Sequence, residues 1–260
     1  MEALAAIYVV VVGLVFGSFL NVCITRLPRY ESIVSPPSRC PRCGAAIAAR
    51  DNIPLLSFLL LRGRCRACRQ PISWRYPAIE LATAALWLLC WLRFGRTLEA
   101  LCMAVLSFLL LGLAAMDAET MRLPDAFTFP GIVLGVVYSG AICNHWMRCA
   151  VLSLGWAATA AGILLAVSGA YWLLRRREGV GIGDVKLIAL IAAWLGPYPA
   201  LLALFLGVVA TAIYGICISV ARRRLDGAIR LPFGSFLCAA ALYTQFHGHR
   251  ILAWYLGFFR

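Results

Sequence analysis

Long apolar stretches without a single charge alternate along this chain with short basic segments. Residues 3–25 run 23 positions without a charge, residues 126–147 run 22, residues 149–174 run 26 and residues 187–221 run 35. A helix crosses the bilayer core with roughly 20 apolar residues, so the pattern predicts an all-α polytopic membrane protein. The apolar residues run continuously instead of at every second position, which excludes a β-barrel. Expected spans lie at about residues 4–24, 79–91, 98–116, 127–143 and 150–174. The 35-residue run carries Gly196-Pro197-Tyr198-Pro199, a strong turn signal that divides it into two helices. A last run begins near Pro232, which brings the expected total to about eight transmembrane helices, the second and sixth of them short.

Between the first two spans lies the one long polar stretch, residues 26–77, with ten arginines. Three regions follow: a first transmembrane helix over 1–25, a small polar lobe over 26–77 and a membrane core over 78–260. The first span has no basic residue before it and is followed by Arg26 and Arg29. That polarity is the reverse of a secretory signal, so the expectation is a retained anchor with its N-terminus outside.

Composition agrees with the pattern. The 260 residues are 63% apolar and 13% charged, against about half and about a quarter in soluble domains. Disorder, collagen and coiled coil are excluded on the same ground. The net charge of +13 raises nucleic acid as a partner, but the distribution of charge decides against it. Loops assigned to one face hold nineteen basic residues and those on the other hold five (Arg93, Arg96, Arg148, Arg250 and Arg260). Positive charge marks the cytoplasmic side, which places residues 26–77 inside, both termini outside, and His145, His247 and His249 outside. The runs 175–177 and 222–224 read as topology determinants that also meet lipid phosphates.

Four of the eleven cysteines form two C-x-x-C knuckles, Cys40-Pro41-Arg42-Cys43 and Cys65-Arg66-Ala67-Cys68, with 21 residues between them. Two knuckles supply four thiolates in a tetrahedron, the usual structural zinc site, which leaves no open position for chemistry. A pair of disulfides is disfavoured in a cytoplasmic loop. Cys23, Cys90, Cys102, Cys143, Cys149, Cys217 and Cys238 lie in or beside apolar helices and read as small buried hydrophobes. The apolar segment 53–61 is too short to span, and is expected to pack the lobe onto the membrane face or the helices.

Acids are scarce enough for those at helix ends to stand out. Asp117 ends the third span and Asp184 opens the sixth, in Gly181-Ile182-Gly183-Asp184-Val185-Lys186. The topology brings both to the cytoplasmic side at one depth. Two carboxylates sharing a site cannot both ionise, so one acts as base toward water and the other as acid toward a scissile amide. The residues alone do not choose Asp117 over Glu119, and Asp184 is equally placed to be an N-cap. Asp125, after Pro124, reads as the cap of the fourth helix, so Asp125→Asn is expected to be mild. No H-E-x-x-H or phosphate-binding glycine loop is present. Lys186, the single lysine, is a weak candidate for a Ser–Lys dyad.

The order of several motifs resembles bacterial type IV prepilin peptidases. It runs through Gly17-Ser18-Phe19-Leu20-Asn21-Val22, the two knuckles, Asn52-Ile53-Pro54-Leu55-Leu56-Ser57 and residues 76–84 (Tyr76-Pro77-Ala78-Ile79-Glu80 onward). Asp117 with Leu123-Pro124-Asp125, the Gly181–Lys186 stretch and Leu231-Pro232-Phe233-Gly234 complete it. The resemblance implies an intramembrane G-x-G-D aspartyl endopeptidase of the bacterial inner membrane. Such an enzyme cleaves the basic leader of prepilins and pseudopilins after a glycine, at the cytoplasmic face. It implies Asp117 and Asp184 as the catalytic pair, with Gly181 and Gly183 letting the backbone pass close to the substrate. It also implies N-methylation of the new N-terminus with S-adenosylmethionine. The Gly-Lys that this family associates with methylation stands here as Gly63-Arg64, and Lys and Arg differ in geometry. The competing expectation is an ion-coupled transporter or an assembly scaffold of a secretion system. A transporter would carry its acids near mid-membrane, between broken helices.

Overall fold

The computed structural model describes residues 2–176, 179–222 and 231–257. Arg177, Arg223, Arg224, Arg230 and Arg260, all counted above in the charge asymmetry, lie outside the described residues. The chain is helical: α1 (Glu2–Arg26), α2 (Leu56–Leu60), α3 (Arg75–Phe94), α4 (Leu98–Thr120), α5 (Asp125–Ala141), α6 (Trp146–Arg175), α7 (Ile182–Leu195), α8 (Pro197–Arg222) and α9 (Phe233–Gly257). Short 3-10 turns occupy Leu27–Arg29 and Ala49–Asp51. No strand occurs among the described residues, only two isolated bridges in the polar lobe. Each expected apolar run holds one long helix. Five helices, α1, α3, α4, α6 and α8, are long and apolar enough to cross a bilayer, and α5 is a shorter apolar helix.

The chain divides into two compact units, Met1–Phe108 and Leu109–Arg260. In the first, α1 lies against α3 through a stripe of every fourth residue. A Cβ on Gly13 would lie 2.7 Å from the Ala84 Cα, and one on Gly17 would lie 2.7 Å from the Glu80 Cα. Glycine at both places lets the backbones approach, as small residues do in membrane helix pairs. Toward the polar lobe the same stripe turns to hydrogen bonds. The Asn21 amide donates to the Tyr76 carbonyl at 3.0 Å, and Arg75 donates to the Thr25 hydroxyl at 2.9 Å. The buried Glu80 accepts the Leu55 N–H at 2.8 Å, which ties the lobe's apolar segment to α3. Leu55 adopts φ 58° to make that contact. The rest of the segment presents Leu59 and Leu60 to the surroundings.

In the second unit α7 is the central helix. Every residue from Leu187 to Trp194 is buried, and α5, α6, α8 and α9 all pack on it. Gly131 and Gly135 of α5 face Leu190 and Trp194. The Trp194 indole N–H donates to the Gly131 carbonyl at 2.8 Å, and the Ser153 hydroxyl donates to the Ala193 carbonyl at 2.8 Å. Buried polar groups are thus paired to main-chain acceptors, as an apolar interior requires. This packing anchors the body of α7, and Asp184 projects from the turn that precedes it.

The cysteines outside the knuckles divide more finely than expected. Cys23, Cys90 and Cys238 are buried, Cys102 is half-buried and Cys217 is exposed. Cys143 and Cys149 are joined in a disulfide and are not buried hydrophobes. They flank the turn between α5 and α6, where the two helix ends bring them together.

Candidate active site

The last turn of α4 separates the two acids that the sequence leaves as alternatives. Asp117 is buried and Glu119 is exposed, because two positions along a helix are about 200° of rotation. Asp117 faces the first turn of α9. One of its oxygens, Oδ2, accepts the Ser235 backbone N–H at 2.7 Å and lies 3.0 Å from the Ser235 hydroxyl. That hydroxyl is also 2.9 Å from the Ala114 carbonyl, so its single proton serves two acceptors. The same N–H makes a longer bond to the Pro232 carbonyl, 3.2 Å, so Asp117 is the nearer acceptor at the start of α9 and sits at the positive end of its dipole. Gly234 makes the approach possible: a Cβ there would lie 3.0 Å from the Asp117 carboxyl carbon.

Asp184 occupies the third position of α7, and the N-cap is Gly181, with φ −71° and ψ 147°. The Asp184 N–H donates to the Gly181 carbonyl at 3.0 Å, and its carboxylate is hydrogen-bonded to the Gly181 backbone. This is the reach-back half of a capping box. So both aspartates lie within the N-terminal turn of a helix, Asp184 in its own and Asp117 against another.

A short connection brings these turns together. Residues 121–124 join α4 to α5, starting with Met121 at φ 53°, whose N–H closes α4 on the Asp117 carbonyl at 2.8 Å. Leu123 then inserts between the two helix starts. Its side chain comes within 3.2 Å of a Cβ built on Gly183 and within 3.2 Å of one built on Gly234. Glycine at 183 serves this close packing. Asp184 lies within the electrostatic reach of Asp117, and the buried Cys238, one turn beyond Ser235, lies within reach of both. Both aspartates lie at helix ends, Asp117 in the last turn of α4 and Asp184 in the first turn of α7.

Asp125 is not a cap. Pro124 holds the N-cap position of α5 with no side-chain cap bond, and the Asp125 carboxylate pairs with the ammonium of Lys186. The pair places Lys186 away from any Ser–Lys arrangement among the described residues.

The four knuckle cysteines form a second constellation, in the first unit. Their sulfurs lie within 4.8 Å of one another. The two knuckles repeat one backbone pattern 25 residues apart. Cys40 N–H bonds the Ala45 carbonyl at 2.9 Å, as Cys65 N–H bonds the Gln70 carbonyl at 2.9 Å. Gly44 N–H returns to Cys40 and Arg69 N–H to Cys65, and both residues have positive φ, 72° and 60°. The N–H groups of Cys43 and Arg42 hold the Cys40 thiol down at about 7. Cys68 has the Gln70 N–H on its sulfur, yet burial and the other three thiols push it up to about 11. Four thiols gathered this closely are the donor set a divalent cation satisfies. The expected Cys40, Cys43, Cys65 and Cys68 cluster is thus a group able to hold a metal. Asp51 bonds Arg66 through two contacts, 2.6 and 2.8 Å, which braces the second knuckle and holds the Asp51 carboxyl below its usual range. Gly63, with φ 65°, packs on the Phe58 ring, and Arg64 forms the bridge with Pro71 that closes the second knuckle.

Three residues of the aspartate site have no role legible in the sequence. Leu123 and Gly234 stand only within motifs, and Ser235 in none. A serine directly after glycine at the start of an apolar run is an ordinary helix-start signal, and that signal alone does not show whose carboxylate the turn receives.

The chain is similar to known proteins along most of its length. Residues 11–94 match the family described as Bacterial Peptidase A24 N-terminal domain, and residues 104–216 match the Type IV leader peptidase family. A protein of Burkholderia pseudomallei is 38% identical over 93% of this chain and 85% of its own length. One from Pseudomonas aeruginosa is 34% identical over 96% of this chain and 92% of its own length. One from Klebsiella pneumoniae is 44% identical over 71% of this chain and 82% of its own length. All three are named prepilin leader peptidase/N-methyltransferase. No solved structure matches the chain.

Proposed function

The chain belongs to the type IV leader peptidase family, and we propose that it uses Asp117 and Asp184 as the catalytic dyad of an aspartic endopeptidase that removes the leader from prepilins and pseudopilins. The observation that carries the assignment is the convergence of two helix starts on Leu123. It puts two carboxylates within each other's field at the end of α4 and the first turn of α7. Two donors on one oxygen make Asp117 the better holder of negative charge, so Asp117 draws the proton from water. Asp184 keeps the shared proton and gives it to the scissile carbonyl oxygen as the water oxygen bonds to the carbonyl carbon. Collapse of the tetrahedral species breaks the C–N bond, and the proton taken by Asp117 passes to the departing amine. A hydroxyl proton of the tetrahedral carbon returns to Asp184 as the carboxylic acid forms, which restores the dyad. Gly181 is extended and exposed, and the nearest atom to a Cβ built on it is Asp184 Oδ2, at 3.4 Å. That open backbone suits an extended substrate strand.

The protein is a multi-pass membrane protein. We place it in the bacterial inner membrane with the dyad and the lobe over 26–77 facing the cytoplasm and the peptidase core over 78–260. The nineteen-to-five arrangement of basic residues supports this orientation. So does the separation of cysteines into a disulfide at the α5–α6 turn and free thiols in the lobe, since thiols stay reduced in the cytoplasm. Zinc fits the lobe: Cys40, Cys43, Cys65 and Cys68 would hold it, and it would lock the two knuckles together without taking part in the reaction. The same reading gives the enzyme N-methylation of the freed N-terminus, with S-adenosylmethionine as donor. The described residues contain no strand–glycine turn–helix cradle for that donor.

The test is mass spectrometry of a prepilin-like substrate incubated with the purified protein in detergent, with and without S-adenosylmethionine. Wild type should release the leader, and Asp117→Asn and Asp184→Asn should not, although both remain folded. Cleavage by either variant at the wild-type rate removes that residue from the dyad. An added 14 mass units on the mature N-terminus, a methyl in place of hydrogen, would mark the second activity.

A further inference from the structure

We propose that Lys186 is a positioning residue that sets the separation of the two aspartates, held for that purpose in a socket made by Asp125 and Phe129. The proposal rests on the assignment of Asp117 and Asp184 as the dyad.

Lys186 is the only lysine among 24 basic residues. A chain that answers nearly every need for positive charge with arginine departs from it once, two residues after Asp184. At that place the ammonium pairs with the Asp125 carboxylate and lies 5.4 Å from the centre of the Phe129 ring. Asp125 and Phe129 are four residues apart, on one face of the first turns of α5. Side chains at that spacing are neighbours, so together they offer a carboxylate and an aromatic face to a single cation. A compact ammonium with three donors satisfies both at once, and a planar guanidinium fork does not have that shape.

The socket closes a circuit through the active site. Asp117 stands at the end of α4, residues 121–124 lead to Asp125, and Asp125 holds Lys186, in the same helical turn as Asp184. Leu123, midway along this path, fills the space between Gly183 and Gly234. The covalent connection fixes the distance from Asp117 to Asp125, and the ion pair fixes the distance from Asp125 to the first turn of α7. With both in place the carboxylates have one separation. Without the pair, α7 is still anchored further along by Leu187 to Trp194, while its first turn is free to shift. An ordinary exposed ion pair contributes little. The Lys186 side chain is 22% exposed and that of Asp125 64%, so the pair adds little to stability, and what it determines is geometry at a reacting centre. A displacement of about 1 Å there costs up to a hundredfold in rate.

The experiment measures kcat and KM for cleavage of a prepilin-like substrate by full-length protein in detergent, with thermal unfolding in parallel. The variants are K186M, K186R, D125N and the double D125N/K186M, with D117N and D184N as controls. K186M and D125N should each lower kcat about tenfold to a hundredfold with KM within about threefold. D125N is thus not the mild change expected of a helix cap, because Asp125 pairs with Lys186 instead of capping α5. The double variant should be no slower than the worse single, because both remove one contact. K186R, which keeps the charge and loses the compact shape, should recover only part of the rate. A K186M enzyme within about twofold of wild-type kcat overturns the proposal, and so do losses that multiply in the double variant or that appear only in KM. Should K186M fail to fold, D125N and K186R carry the same test. Cleavage by D117N or D184N would instead overturn the dyad beneath it, whatever the lysine variants show.

Discussion

Ser235 holds Asp117 through both its backbone N–H, at 2.7 Å, and its hydroxyl, at 3.0 Å, on the same carboxylate oxygen. The two residues are 118 positions apart, so this contact fixes the start of α9 against the end of α4. It also makes the two aspartates chemically unequal. Asp117 accepts from Ser235 on one oxygen, while Asp184 lies against Gly181 at the start of its own helix. A dyad in which one member keeps a proton and the other does not needs such an inequality.

Ser235→Ala should lower kcat about tenfold and leave the protein folded, since the N–H contact stays and only the hydroxyl is lost. Gly234→Ala should do more harm, because its Cβ would stand 3.0 Å from the Asp117 carboxyl carbon and must move it. Steady-state cleavage with thermal unfolding in parallel checks both. Equal rates for wild type and Gly234→Ala would show that Asp117 has room to shift without consequence.

Much of this architecture is legible in the sequence, because in a membrane the length of an uncharged run sets the length of a helix. Every long helix stands over an expected run, and the turn at Gly196-Pro197 falls between α7 and α8. The knuckle cysteines were legible for a different reason, since their spacing is itself the geometry of the site. What could not be read was pairing across distance. The choice of Asp117 over Glu119 depends on which face of α4 meets α9, and Ser235 acquires its role only from that meeting. Asp125 looked like a cap because its local sequence permits one, and it pairs instead with a lysine 61 positions away. Cys143 and Cys149 looked like core residues because the runs around them are apolar, and their disulfide depends on how tightly the chain turns between α5 and α6.

Gly17→Val should weaken the α1–α3 pair. A Cβ at position 17 already falls 2.7 Å from the Glu80 Cα, so the helices must separate. Overpacking of this kind costs about 1–3 kcal/mol. The displaced Glu80 should also release the Leu55 N–H, so limited proteolysis should cut residues 26–77 faster in the variant than in wild type. An unchanged cleavage pattern would mean that the lobe is held by other contacts.

Cys43→Ser should lower bound zinc to background and expose the lobe to protease, with metal analysis of the intact protein as the readout. Gly44→Ala probes the same centre more gently. Nothing lies within 4 Å of a Cβ there, so only the φ of 72° opposes a side chain. Arg69 already accepts the equivalent conformation in the second knuckle, so the variant should keep its zinc and lose about 1 kcal/mol of lobe stability. Zinc-free wild-type protein with an intact, protease-resistant lobe would refute a metal-dependent fold.

The disulfide tests orientation. Bridging Cys143 and Cys149 closes a loop of six intervening bonds in sequence, a constraint worth about 2 kcal/mol by loop-closure entropy. Cys143→Ser with Cys149→Ser should therefore lower thermal stability modestly and leave the dyad in place. If the α5–α6 turn faces the oxidising side, a membrane-impermeant maleimide added to intact cells should label Cys143 and Cys149 only after reduction. The same reagent should reach Cys43 and Cys65 only in inverted vesicles, and only after the metal is stripped by a chelator. Labelling of the lobe cysteines from outside intact cells would reverse the orientation. It would place the lobe, and the dyad with it, on the face away from a cytoplasmic leader.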